Sequence, residues 1–85
     1  MLKFKMYVFF NKSMSWEVNF TSKLNPEDWA DEPEDWCLAA EITSKEQLIS
    51  VLMNYFEDPE MVDNMLKLDV PTDWKRELGM KEYFV

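Results

Sequence analysis

The sequence predicts an α+β fold: a small antiparallel sheet, built from an N-terminal β-hairpin plus one or two further strands, packed against two to three short helices. Three observations carry this expectation. Apolar residues alternate with period two through the first twenty positions. A helical apolar period appears only after residue 44. The two patterns are segregated along the chain rather than interleaved, which separates α+β from α/β.

Over residues 2–10, Leu2, Phe4, Met6, Val8 and Phe10 alternate with Lys3, Lys5, Tyr7 and Phe9, the pattern of a strand with one fully apolar face. Asn11-Lys12-Ser13 supplies turn chemistry. Met14, Trp16, Val18 and Phe20 then alternate with Ser15, Glu17 and Asn19, which completes a hairpin. Tyr7 and Phe9 share the second face of the first strand, so they are either covered or left as an aromatic patch for another chain.

Residues 21–36 carry no alternation. Asn25 is placed as an N-cap, with Pro26 at the first helical position and two acids behind it. Leu24 and Trp29 fall at the positions of a hydrophobic staple. A short helical turn is expected there, with Pro33 ending or restarting it. Trp36 to Ile42 fits a third strand. Ser44 and Gln47 form a capping box ahead of Leu48, Val51, Leu52, Tyr55 and Phe56, an amphipathic helix. Asp58-Pro59 starts a second helix with Met61, Val62, Met65 and Leu66 on its apolar stripe. Residues 72–78 fit two further helical turns closed by Gly79, and Tyr83-Phe84-Val85 reads as a last strand. With 85 residues and no long low-complexity segment, a single domain over 1–85 is expected.

Scarcities narrow the chemistry. The chain has no histidine, one cysteine, one glycine and one arginine. Histidine-based acid–base and triad catalysis are therefore excluded, as are imidazole metal sites, an intrachain disulfide, a cysteine zinc site and a glycine-rich phosphate loop. Seven methionines fit core positions better than a Met-rich binding surface. Cys37, with no Lys or Arg beside it in sequence, reads as an inert, partly buried thiol. The opening residues lack the apolar core and cleavage site of a secretory signal. No apolar run approaches the ~20 residues of a membrane span. Cytoplasmic residence is the resulting expectation, without membrane contact.

The net charge is −8 and unevenly distributed. Residues 1–23 hold four lysines against one glutamate, a net +3, whereas 24–85 hold five basic and sixteen acidic groups, a net −11. Such a surface repels nucleic acid and attracts basic proteins. Six carboxylates, Glu27, Asp28, Asp31, Glu32, Glu34 and Asp35, fall within nine residues beside Trp29 and Trp36. These eight residues are the candidate partner-binding site, since tryptophan anchors and complementary charge are common at interfaces. The competing reading is local: each acid pair follows a proline and suits a helix start, with the tryptophans in the core. Pro-x-Asp-Trp recurs at 26–29, 33–36 and 71–74, which also reads as recurrent helix-start chemistry. The spacing does not match a calcium loop, whose sharp turn needs a glycine. A carboxylate pair for glycoside hydrolysis is disfavoured by the small chain, which has little room for a dry pocket.

The expected function is thus a non-enzymatic protein-binding module without a cofactor. Its most concrete form is an inhibitor whose acidic face docks on the basic nucleic-acid-binding surface of an enzyme. In size and acidity the chain resembles phage-encoded anti-restriction and anti-CRISPR proteins, a likeness of class that rests on no shared motif. The alternative is a structural or assembly accessory protein that homodimerises, or binds a partner, through apolar hairpin and helix surfaces.

Overall fold

Strand β1 (Tyr7–Asn11) is the centre of a three-stranded antiparallel sheet, flanked by β2 (Val18–Thr21) and β3 (Trp36–Glu41) in the order β2-β1-β3. In this computed structural model, which describes residues 2–84, three α-helices follow: α1 (Lys45–Phe56), α2 (Pro59–Leu68) and α3 (Thr72–Glu77). The class is α+β. The chain forms two compact units, one spanning 4–42 and the other 43–84 together with 2–3.

In the first unit, Val8 pairs with Phe20 on one side and Ala40 on the other, while Phe9 pairs with Asn19 and Leu38. The shift in register between Val8 and Phe9 leaves Ala39 as the extra residue of a bulge in β3. As the central strand, β1 is buried on both faces: Tyr7, Val8, Phe9 and Asn11 all lie inside. This corrects the single apolar face read from the alternation. The strand also begins later than the alternation does. Met6 is fully buried and its carbonyl accepts from the Ile42 amide at 2.7 Å, but the chain bends at Lys3 and Phe4. Lys3 belongs instead to the second unit, where its amide donates to Glu77 Oε1 at 3.2 Å.

The hairpin loop is longer than a three-residue turn. The Asn11 carboxamide oxygen accepts from the amides of Ser13 (2.8 Å) and Met14 (2.9 Å), and the Glu17 amide donates to the Met14 carbonyl (2.9 Å). These bonds coil residues 12–17 into turns, so Met14 and Trp16 leave the strand and stand 45% and 65% exposed. Alternation cannot register this, because an Asx turn satisfies the backbone that a strand ladder would otherwise pair.

Residues 21–36 hold two single-turn 3-10 helices, Pro26–Asp28 and Pro33–Asp35. Asn25 caps the first, accepting from the Glu27 amide at 3.0 Å. The staple is replaced by a different contact. Leu24 is exposed, and Trp29 packs edge to face with Phe9, with ring centroids 5.1 Å apart. All three Pro-x-Asp-Trp segments start a helical turn, the third at Pro71 ahead of α3.

The second unit is built by caps. Ser44 Oγ accepts from the Gln47 amide at 3.2 Å, and Gln47 Oε1 accepts from the amide and hydroxyl of Thr43, so the capping box closes one residue early. Helix α1 buries Leu48 and Leu52, α2 buries Val62, Met65 and Leu66, and α3 buries Trp74 and Lys75. Between α1 and α2, Glu57 takes a left-handed conformation and Asp58 caps the next helix, accepting from the Met61 amide. Gly79 closes α3 at φ 69°, as the Met80 amide bonds back to the Lys75 carbonyl at 2.8 Å. The expected last strand is not formed among the described residues. Lys81–Tyr83 is a 3-10 turn, because the Tyr83 amide closes on the Met80 carbonyl; Val85 lies outside the described residues. Among the described residues no helix is long and apolar enough to cross a membrane.

Candidate functional site

The acidic segment packs on the second face of β1. Phe9, Trp29 and Trp36 stack edge to face in sequence, with centroids 5.1 and 5.2 Å apart, and Trp29 Nε1 donates to the Lys23 carbonyl at 3.2 Å. This covers Phe9 from within the same unit, so the aromatic patch is not left open. The Lys12 amide, at the start of the hairpin loop, donates to the Asp35 carbonyl at 2.8 Å and ties the end of the segment to the loop. Both tryptophans are half-buried. They hold the segment down and keep part of each ring at the surface.

The eight predicted residues do not form one surface. Trp29, Asp31, Glu32, Asp35 and Trp36 line an open groove of about 690 Å³ that also takes in Asn11, Met14 and Glu17 from the hairpin. Glu27 and Glu34 line a second groove of about 600 Å³, with Asn25, Pro26 and Pro33. Asp28 lines neither of these two grooves. Asn11, Met14 and Glu17 were not foreseen. The turn signal at Asn11 was legible, but the loop that brings Met14 and Glu17 back toward Asp35 depends on where the Asn11 side chain bonds.

The carboxylates around Glu32 crowd one another. A hydrogen bond with Asp35, followed by the charges of Asp35, Glu34 and Asp31, holds the Glu32 carboxyl above the usual carboxylate range. A proton is therefore bound more tightly in the folded chain than in the unfolded one. The resulting stabilisation is complete below the ordinary carboxylate pKa and is lost as the pH rises through the raised value. At neutral pH the groove carries unrelieved repulsion between like charges. Asp35→Asn is expected to lower the Glu32 value toward the ordinary range, read from a pH titration of the Glu32 side-chain carbon by NMR. An unchanged Glu32 titration would contradict the assigned cause.

Known protein families, curated proteins and solved structures contain no match to this chain. Its residues therefore carry the reading alone. Among the described residues, no three Asp, Glu or Cys side chains are grouped so as to hold a metal ion. Cys37 is exposed on β3, not partly buried, because β3 is an edge strand whose middle stands open. Met6, Met65 and Met80 fill the core, whereas Met14 lines the groove.

Proposed function

We propose that this chain is a small non-enzymatic binding module that docks its acidic segment on a basic protein surface. In its most concrete form it is an inhibitor that occupies the nucleic-acid groove of an enzyme. The observation that carries this is the convergence of Asp31, Glu32, Asp35 and Glu17 around one open groove walled by Trp29 and Trp36. Carboxylates crowded until one of them binds its proton more tightly than an ordinary carboxylate gain most from an approaching lysine or arginine. Spaced along a surface, they present to a DNA- or RNA-binding cleft the negative charge that phosphates would. The likeness in size and acidity to phage-encoded anti-restriction and anti-CRISPR proteins agrees with this reading.

The test is capture from a native lysate on the immobilised chain, with a variant alongside in which Asp31, Glu32, Glu34 and Asp35 are all reversed to lysine. Loss of the captured protein from a variant that retains its circular dichroism spectrum is expected. Equal capture by both would contradict docking through this segment. The assembly reading draws on the exposed Trp16 and Met14 of the hairpin loop. It predicts capture or self-association that persists in the reversed variant and at high salt, because apolar contacts are not screened.

A further inference from the structure

Strand β3 is an edge strand, and its middle is open: Cys37, Leu38 and Ala39 are exposed, Leu38 to 48%. Proteins ordinarily shield such edges with charge, proline or a covering segment, because unpaired amides and carbonyls recruit another strand. The phase of the ladder identifies the free groups. The Lys12 amide bonds to the Asp35 carbonyl and the Ile42 amide to the Met6 carbonyl, so Cys37 lies at a hydrogen-bonded position opposite Phe10. Leu38, opposite Phe9, lies at a non-bonded position, and its own N–H and C=O point away from β1. The Trp36 amide is already used on the Pro33 carbonyl, and the bulge at Ala39 ends the regular pairing. The open stretch is therefore short and centred on Leu38.

We infer that this edge receives an extended, basic segment of the partner, added antiparallel to β3 by a two-bond pair at Leu38. The inference rests on the acidic-docking reading and gives it a mode. Charge selects the occupant. At its N-terminal end the strand emerges from Glu32, Glu34 and Asp35, whereas Glu41 at the other end is engaged by Lys5 at 3.1 Å. An incoming strand with an apolar residue at Leu38 runs at one end past the acidic segment that leads into β3, where lysine or arginine fits. A second copy of this chain would instead bring −8 against −8 at the same edge.

The probe is a synthetic octapeptide of alternating lysine and valine, titrated into the ¹⁵N-labelled full chain. Expected is a shift of the Leu38 amide resonance, with its hydrogen exchange slowed by about tenfold or more. An analogue N-methylated at alternate residues is expected to bind about tenfold more weakly, because it cannot complete the strand bonds. The Leu38→Pro variant, which removes an outward N–H that β1 does not use, is expected to lose the peptide while keeping its remaining amide pattern. Should Leu38→Pro disturb the fold, the N-methylated peptide makes the same comparison on the unaltered chain. If the peptide shifts Asp31 and Glu32 but leaves Leu38 unmoved, the edge inference fails and acidic docking stands. If it shifts none of them, both fail. Equal binding of a glutamate–valine peptide overturns the choice of a basic occupant. Concentration-dependent protection of Leu38 without peptide assigns the edge to a second copy and likewise overturns it.

Discussion

Replacing Lys75 by methionine is expected to lower the unfolding free energy by about 2 kcal/mol, and replacing it by alanine by about 3 to 4 kcal/mol. Lys75 is only 4% exposed, an unusual position for a lysine. Its ammonium donates to the carbonyl of Lys67 at 2.7 Å and to that of Tyr83 at 3.1 Å, and lies 5.6 Å from the centre of the Phe84 ring. One side chain thus joins the last turn of α2 to the terminal 3-10 turn. The positive charge also suits the carbonyl end of α2. Methionine keeps the aliphatic length and packing but leaves both carbonyls without this donor. Alanine removes the packing as well. In urea unfolding the midpoint should fall in the order parent, methionine, alanine, and the residues after Gly79 should become the first site of limited proteolysis. An unchanged midpoint for both variants would show that the two carbonyls find other donors.

The second large effect is expected at Trp29. Trp29→Ala removes the edge contacts to Phe9 and Trp36 and the bond to the Lys23 carbonyl, at a cost of about 3 kcal/mol. Its consequence for the acidic segment is more informative than the energy. With Trp29 gone, Pro26–Asp35 keeps its two 3-10 turns as local chemistry but loses its main anchor on β1, and Asp31, Glu32 and Asp35 disperse. Trp29→Phe keeps a ring on Phe9 and loses only the indole donor, so it should cost about 1 kcal/mol. Partner capture should follow the same order, with alanine weakest. If Trp29→Ala leaves the Glu32 titration where it was, the carboxylates are held together by something other than this ring.

The parts of the fold that were legible in the sequence are those set by neighbours in the chain. Asn25, Ser44, Asp58 and Gly79 each act at a helix end within a few residues, so position and residue type define their role. The apolar stripe of α2 and the run at β3 were legible for the same reason. Where a side chain had to choose between distant partners, the pattern gave no guide. The alternation of Met14 and Trp16 continues that of Val18 and Phe20, yet the bonds from Asn11 take those two residues out of the sheet. Leu24 lies within reach of Trp29 along the chain, but the Trp29 ring packs on Phe9, twenty positions upstream. That same contact covers Phe9 on the second face of β1.

The candidate site divides along the same line. The concentration of carboxylates at 27–35 was visible as composition, and so was its nearness to two tryptophans. The partition was not: Asp31, Glu32 and Asp35 line one groove and Glu27 and Glu34 another. The charge balance also changes on folding. The sequence divides it into +3 and −11, but the three lysines Lys5, Lys12 and Lys23 belong to the same unit as the acidic segment. That unit carries three basic and eight acidic groups, a net −5, and the helical unit carries six and nine, a net −3.

Docking by phosphate mimicry is tested most directly by competition between this chain and duplex DNA for the captured partner, at about 50 mM and about 500 mM salt. The expected result is displacement of the partner by DNA at low salt, a steep loss of binding at high salt, and neither effect in the variant with Asp31, Glu32, Glu34 and Asp35 reversed to lysine, which should capture nothing. Binding that ignores DNA, persists at high salt and survives the reversal would contradict it.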